Sequence, residues 1–280
     1  MAFASVNGAK LAYQQLGESG PHLLLVHGLA TNRAFWFPHA TALSNQFRVT
    51  LFDLRGHGYS ERTASGYDVS TLARDIVGLM DELKIERAAL AGHSYGGAAA
   101  LEAAGLAPQR ISHLALFDVR VTVLQPAMRL HDMPYLSDFE REIAGSAGVD
   151  WENETQVGFK FLEAAARRRV SGAETQARDD FTPFGEGRGA LRAAKAWVDL
   201  LEQTSANTDL HVAGMDAERI AALPMPLLFM YAQRSRCLPS GHALHALLPR
   251  ARYEEVPDAG HFFPMSHARL VVDMLRHFLL

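Results

Sequence analysis

The sequence predicts an α/β protein with a mostly parallel, doubly wound sheet and an inserted, mainly helical subdomain. Short, almost continuous apolar runs alternate along the chain with longer segments of helical periodicity. Such runs are typical of parallel strands that are buried on both faces. Residues 121–222 contain no convincing strand, and a compact domain rarely carries a structureless loop of that length. We therefore expect a core of residues 1–120 and 223–280, with residues 121–222 forming a helical lid near the carboxyl ends of the strands.

The first predicted elements are strands. Asn7-Gly8 separates two short stretches near the N-terminus, and this dipeptide favours the two-residue turn of a β-hairpin. The buried strands of the sheet follow as apolar runs at residues 22–26, 49–52, 88–91, 114–117 and 227–231.

Apolar residues at helical spacing predict the helices. Leu72, Ile76 and Leu79 belong to one such stripe, and we expect Ser70 or Thr71 to cap that helix. Within the lid, residues 159–170 and 190–202 are predicted to be helical, and the stripe in residues 270–278 predicts a closing helix.

Composition excludes several classes of function. The 280 residues carry a net charge of −4, so nothing draws the whole chain to nucleic acid or to an anionic membrane. From residues 1–8 we expect no signal peptide, and the apolar runs are far shorter than the roughly 18 residues of a membrane span. The expected location is therefore the cytoplasm.

The sequence predicts no metal and no organic cofactor. The single cysteine, Cys237, cannot form an internal disulfide or supply a zinc site that needs several thiolates. His242 and His245 share one face of a predicted helix, but no carboxylate or cysteine completes a ligand set beside them.

The clearest chemical motif is Gly92-His93-Ser94-Tyr95-Gly96. It follows the apolar run 88–91 and precedes an alanine-rich, helix-forming stretch. A G-x-S-x-G pattern between a strand and a helix is the nucleophile elbow, in which the serine occupies a sharp, strained turn. A side chain at position 92 or 96 would collide with neighbouring backbone, so we expect both glycines to be required.

Three further segments accompany this motif in a recognisable order. His27-Gly28-Leu29 follows the run 22–26, Asp53 opens an eight-residue turn that ends at Ser60, and Gly260-His261-Phe262 precedes the closing helix. Together with the elbow, these segments resemble the α/β-hydrolase superfamily. The resemblance covers residues 3–118 and 224–280.

The resemblance implies specific roles. Ser94 would be the nucleophile, and His261 would be the general base that takes its proton. The backbone N–H groups of Leu29 and Tyr95 would form the oxyanion hole. His27, His57 and His93 belong to the same motifs, and we expect them to brace loops.

The third member of the triad departs from the usual pattern. Many members of this superfamily carry the acid after the strand that corresponds to residues 227–231, but Ser235 stands at that place here. No Asp or Glu occurs between Arg219 and Arg252. Asp118 ends the run 114–117, where some other members place their acid, and we predict that it completes the triad. The alternative is that Asp118 is structural and the site is a Ser–His dyad.

These residues predict a serine hydrolase without a metal. A serine nucleophile argues against the dehalogenases and epoxide hydrolases of this superfamily, which use aspartate at the elbow. We expect cleavage of a carboxylic ester or thioester, with a small-molecule or carrier-linked acyl group as substrate and Trp36 and Phe262 in an apolar pocket. Lactone hydrolysis, C–C bond hydrolysis and a non-catalytic receptor stay open as alternatives.

Overall fold

One sheet organises the protein, and the computed structural model describes residues 1–132, 135–146, 148–173, 183–184 and 187–280. In this described part the sheet has eight strands, in the order β1-β2-β4-β3-β5-β6-β7-β8. They are β1 (Ala2–Val6), β2 (Ala9–Leu16), β3 (His22–Val26), β4 (Arg48–Phe52), β5 (Ala88–His93), β6 (Ile111–Phe117), β7 (Leu227–Ala232) and β8 (Arg252–Val256).

The sheet is parallel from β4 to β8, and only β2 runs against its neighbours β1 and β4. The hairpin of β1 and β2 is confirmed: Val6 pairs with Ala9, and Asn7 and Gly8 between them have φ values of +46° and +74°. Two successive residues with positive φ form the type of turn that matches the twist of a hairpin.

All five strands predicted from apolar runs are present, but β8 was not predicted. β8 lies at the edge of the sheet, and of its five residues only Val256 is buried. An edge strand with charged side chains produces no apolar run, so its sequence resembles a loop.

Helices flank the sheet. In the described residues they are α1 (Phe37–Leu43), α2 (Val69–Glu82), α3 (Ser94–Leu106), α4 (Asp138–Ser146), α5 (Val157–Val170), α6 (Gly187–Gln203), α7 (Ala206–Asp209), α8 (Ala217–Ala221), α9 (Leu238–Leu247), α10 (Phe263–Ser266) and α11 (Ala268–Leu279). Side chains of one strand alternate between the two faces of the sheet, so Leu24 and Val26 enter one apolar core while Leu23 and Leu25 enter the other.

The helices predicted from periodicity are confirmed with small shifts at their ends. α5, α6 and α11 contain the segments predicted at 159–170, 190–202 and 270–278. α2 begins before the expected caps, because Asp68 accepts a hydrogen bond from the N–H of Thr71 at 2.9 Å and is its N-cap.

In the described part of residues 121–222 the regular structure consists of a short 3-10 helix (Leu130–Asp132) and helices α4 to α8, with one isolated bridge between Met128 and Gln156. α5 packs against α6. The division of the chain into a core and a lid stays a prediction. Among the described helices, none has both the length and the apolar composition that crossing a lipid bilayer requires.

The parallel strands bring several loops to one edge of the sheet. β3, β5, β6, β7 and β8 all end at this edge, and each is followed by a motif singled out in the sequence. Ligands of doubly wound sheets bind at this carboxyl edge.

Candidate active site

The tight bend between β5 and α3 carries Ser94. Ser94 has a φ of +54°, in the left-handed region that side chains disfavour. A Cβ atom on Gly96 would lie 2.1 Å from the carbonyl oxygen of His27, and one on Gly92 would lie 2.5 Å from the Cα of Gly97. Both atoms belong to backbone, so glycine is required at positions 92 and 96 for steric reasons.

The imidazole of His261 lies between Ser94 and Asp118. Its Nε2 is 3.0 Å from Ser94 Oγ, and its Nδ1 is 2.6 Å from Asp118 Oδ2. With a proton on Nδ1, the ring donates to the carboxylate and leaves the Nε2 lone pair to accept the Ser94 hydroxyl. The structure therefore brings together the three residues that the sequence predicts as nucleophile, base and acid.

The carboxylate of Asp118 is fully buried and held from several directions. Its Oδ1 accepts a hydrogen bond from the N–H of Ala232 at 2.9 Å, and its Oδ2 accepts one from the hydroxyl of Ser235. Its own N–H donates to the carbonyl of Met230 at 2.9 Å. The hydrogen bonds from Ala232 and Ser235 stabilise the buried carboxylate, and Oδ2 also contacts His261.

Ser235 thus supports the acid from the place where many relatives carry the acid itself. Its hydroxyl donates to Asp118 and accepts from the N–H of Cys237 at 3.0 Å. Sequence reasoning identified the missing carboxylate at position 235 but missed this hydrogen bond. The sequence did contain a sign of this hydrogen bond, because position 235 carries a serine, a hydrogen-bond donor, where a carboxylate was expected.

His93 positions the loop that carries His261. Its Nε2 lies 2.8 Å from the carbonyl oxygen of His261, and its ring stacks on Phe35 with centroids 4.7 Å apart. Burial, and then the neighbouring charge of His261, hold the pKa of His93 well below the ordinary histidine value. His93 is therefore neutral near pH 7, and its Nε2–H donates to the His261 carbonyl.

The other histidines of the motifs also brace loops. His27 Nδ1 donates to the carbonyl of Gly28 at 2.7 Å, and its Nε2 accepts from the N–H of Leu54 at 3.0 Å. His57 Nδ1 lies 3.0 Å from the carbonyl oxygen of Arg55, and burial lowers the pKa of His57 to about 4. Among the described residues, neither the His27 ring nor the His57 ring forms a hydrogen bond with Ser94.

Leu29 and Tyr95 line the same cavity as Ser94. Tyr95 lies in the first turn of α3, where backbone N–H groups have no acceptor within the helix. Its phenol hydroxyl is already engaged, since it donates to the carbonyl of Tyr67 at 3.0 Å. Both residues predicted to form the oxyanion hole thus line the cavity that contains Ser94.

The cavity has a volume of about 120 Å³. This is close to the roughly 150 Å³ of a cavity that holds benzene. Phe262 lines it, as predicted, together with apolar side chains from α4, α5 and the preceding loop. These are Met128, Phe139, Phe159, Phe161 and Leu162.

The expectation that Trp36 contributes to the pocket was wrong. Trp36 is fully buried in the core on one face of the sheet, against Phe117 with ring centroids 5.5 Å apart. Its indole N–H donates to the carbonyl of Val26 at 2.9 Å. A buried indole N–H needs an acceptor, and this hydrogen bond to the last residue of β3 holds the Trp36 ring against the sheet.

One group of three potential metal ligands occurs in the described residues: Asp118, Cys237 and His261, with donor atoms within 4.8 Å of one another. Two of these residues already hydrogen-bond each other. Burial raises the pKa of the Cys237 thiol, which disfavours the thiolate form that binds metals. This chemistry fits a hydrogen-bonded Ser–His–Asp row better than a metal centre.

Comparison with known proteins agrees with this fold. The family model described as alpha/beta hydrolase fold matches residues 21–268. The crystal structure of the enol-lactonase from Burkholderia xenovorans LB400 has a TM-score of 0.71 and 27% sequence identity, over 99% of each chain.

The alignments with curated relatives cover only part of those relatives. The chain is 29% identical over 283 aligned positions to the dihydrolipoyllysine-residue acetyltransferase component of the acetoin cleaving system of Pseudomonas putida, covering 99% of this chain and 68% of that protein. It is 36% identical over 100 positions to 2-(acetamidomethylene)succinate hydrolase of Mesorhizobium japonicum, covering 36% of each chain. The aligned regions thus span from about a third to about two thirds of these relatives.

Proposed function

The chain belongs to the alpha/beta hydrolase fold family, and on that premise we propose that it is a serine hydrolase of carboxylic esters or thioesters. The observation that carries the proposal is the hydrogen-bonded row from Ser94 through His261 to Asp118, with separations of 3.0 and 2.6 Å. Nucleophile and base within hydrogen-bond reach, with a third group orienting the base, are the signature of covalent acyl transfer.

In the first half-reaction, Ser94 Oγ attacks the carbonyl carbon of the substrate while Nε2 of His261 takes the hydroxyl proton. The carbonyl oxygen becomes an oxyanion, which the N–H of Leu29 after β3 and the N–H of Tyr95 at the start of α3 stabilise. When the intermediate collapses, His261 gives the proton to the leaving alcohol or thiol, and the acyl group stays on Ser94.

In the second half-reaction, water replaces the alcohol. His261 takes a proton from water, the hydroxide oxygen attacks the acyl carbon, and Ser94 recovers its proton as the carboxylic acid leaves. Asp118 keeps its charge throughout. It holds the proton on Nδ1 of His261 and stabilises the imidazolium that forms in both steps.

The cavity supports an acyl group that is largely apolar, since aromatic and aliphatic side chains supply most of its lining. Two relatives carry names that concern carbonyl chemistry, an enol-lactonase and an acetyltransferase component. The substrate in this proposal is a small molecule or a carrier-linked acyl group.

A lactone is a second candidate substrate. The enol-lactonase is similar over 99% of both chains. A lactone is a cyclic ester, so the same two half-reactions open it, with the leaving oxygen still tethered to the acyl group. Among the described residues, no contact in the site favours C–C bond hydrolysis over these reactions, and the hydrogen-bonded Ser–His–Asp row argues against a receptor that has lost catalysis.

Turnover of activated esters tests this proposal. A series of 4-nitrophenyl esters and acyl thioesters of increasing acyl length should be hydrolysed by the protein and not by Ser94→Ala. Ser44→Ala, in the turn after α1, is the matched control and should keep full activity. If the folded protein hydrolyses no ester, lactone or thioester of the series, the proposed activity is wrong.

A further inference from the structure

One charged side chain in the cavity has no counter-charge among the residues that the structure describes. Arg120 lies two residues after Asp118, on the loop that follows β6, and lines the same cavity as Ser94. Its guanidinium donates to the carbonyls of Gln125 at 3.0 Å and Pro126 at 2.8 Å, and to Oε1 of Gln156 at 2.5 Å. All three acceptors are neutral, and no carboxylate of the described chain forms an ion pair with Arg120.

The remaining charges of the cavity wall cancel each other. Arg236 forms an ion pair with Glu140 of α4, and their side chains are only 13% and 1% exposed. The carboxylate of Asp118 does not line the cavity, and it hydrogen-bonds His261, Ala232 and Ser235 rather than Arg120. The described lining therefore presents one positive charge in excess, on Arg120.

A half-buried cation in an apolar wall is costly unless an anion accompanies it. Burial already lowers the pKa of Arg120, which is the expected sign of this cost. A guanidinium has five N–H donors, and three of those on Arg120 are used. The two that remain can bind the paired oxygens of a carboxylate.

We propose that the substrate carries a carboxylate in addition to its scissile acyl bond, and that Arg120 binds this carboxylate. The inference rests on the proposed function, since it assigns a substrate class to the same site. The acyl compound is thus the monoester, monothioester or lactone of a dicarboxylic acid, with an apolar chain of modest length between its two ends.

Matched ester pairs measure the selectivity directly. The substrates are the monomethyl esters of straight-chain dicarboxylic acids from succinate to suberate, each paired with its neutral dimethyl ester, and acid release is followed in a pH-stat. We expect the protein to prefer at least one monoester over its dimethyl partner in kcat/KM. In Arg120→Gln that preference should fall about 10- to 100-fold, because kcat/KM should fall far more for the monoester than for its dimethyl partner.

Arg129→Gln is the control variant. Arg129 is exposed and does not line the cavity, so its loss changes the net charge equally but should leave the preference intact. The dimethyl ester serves as an internal control for folding. If Arg120 only braces residues 125, 126 and 156, Arg120→Gln will slow both esters of a pair equally, and the inference is overturned.

A binding measurement keeps the two proposals separable. Calorimetric titration of Ser94→Ala with the same monomethyl esters requires no turnover, and the affinity should drop about 10- to 100-fold in Ser94→Ala/Arg120→Gln. Binding that depends on Arg120 without turnover by the wild-type protein would overturn the proposed function alone. Turnover without any dependence on Arg120 would overturn the carboxylate site alone, and the absence of both would overturn both.

Discussion

Replacing Asp118 by asparagine should abolish most activity while leaving the fold intact. An amide at position 118 keeps an oxygen for the N–H of Ala232, which now donates to Asp118 Oδ1 at 2.9 Å. Its –NH₂ group would then occupy the place of Oδ2, 2.6 Å from Nδ1 of His261. A donor at that position forces the imidazole proton onto Nε2.

The size of the effect follows from that tautomer. With Nε2 protonated, the ring donates to Ser94 across the 3.0 Å hydrogen bond and can no longer accept the hydroxyl proton. The analogous substitution in a serine protease triad lowers kcat by about 10⁴, equivalent to about 5.5 kcal/mol of transition-state stabilisation. We expect a loss of that order in kcat, with KM changed much less, because Asp118 does not line the cavity.

The assay is steady-state hydrolysis of the best ester of the 4-nitrophenyl series, with circular dichroism as the check on folding. Asp258→Asn is the matched control. Asp258 lies three residues before His261, but its side chain is 78% exposed and pairs with Arg234. This variant should stay within about threefold of wild type, since exposed ion pairs contribute little. An Asp118→Asn protein that is folded and retains a tenth or more of wild-type kcat would refute the role of Asp118 and favour a Ser–His dyad.

Three further perturbations test the surroundings of the site. Gly96→Ala should lower the free energy of unfolding by about 1–3 kcal/mol in urea titrations and remove ester hydrolysis, because its Cβ would lie 2.1 Å from the His27 carbonyl oxygen. Ser235→Ala should lower kcat about tenfold with little change in KM, because the Asp118 carboxylate loses a hydrogen-bond donor. Burial lowers the pKa of His39 to about 4 from 6.5, so the unfolded chain binds an extra proton between these values. Unfolding free energy should therefore fall as the pH drops from 6.5 towards 4, by about 1.4 kcal/mol per pH unit from this group, and His39→Gln should reduce that slope.

Controls for these variants come from the same chain. Gly189→Ala, in α6, places its Cβ in open space and should not destabilise the protein. His131→Gln replaces a histidine whose side chain is 65% exposed and serves as the control variant for the pH series of His39→Gln. A stable and active Gly96→Ala, an unchanged kcat in Ser235→Ala, or an unchanged slope in His39→Gln would each contradict the corresponding contact.

The strands could be predicted wherever a strand is buried on both faces, because such a strand has an uninterrupted apolar sequence. β3 has the predicted bounds because its last four residues are completely buried between two layers of helices. β8 was missed because strand pairing uses backbone atoms, which any sequence supplies, and its exposed side chains have no reason to be apolar. The cap of α2 was placed two or three residues late, since Asp68, Ser70 and Thr71 all suit an N-cap and only geometry selects Asp68.

The site was predictable to the extent that its chemistry lies in contiguous motifs. Ser94 and His261 come from such motifs, and Asp118 came from the absence of any carboxylate near position 235. Trp36 was misplaced because an aromatic residue in a loop suits a core and a pocket equally well. The unpaired charge of Arg120 could not be predicted from the sequence, because the cavity wall is built from segments that are far apart in the chain.

The central claim is that Ser94 is an activated nucleophile, and covalent labelling with a fluorophosphonate tests it most directly. Intact-protein mass spectrometry should show a single phosphonyl adduct, peptide mapping should locate it on Ser94, and Ser94→Ala should take up none. Labelling of Asp118→Asn should be slowed in proportion to its loss of kcat. A wild-type protein that stays unlabelled, or an adduct that persists in Ser94→Ala, would contradict the account.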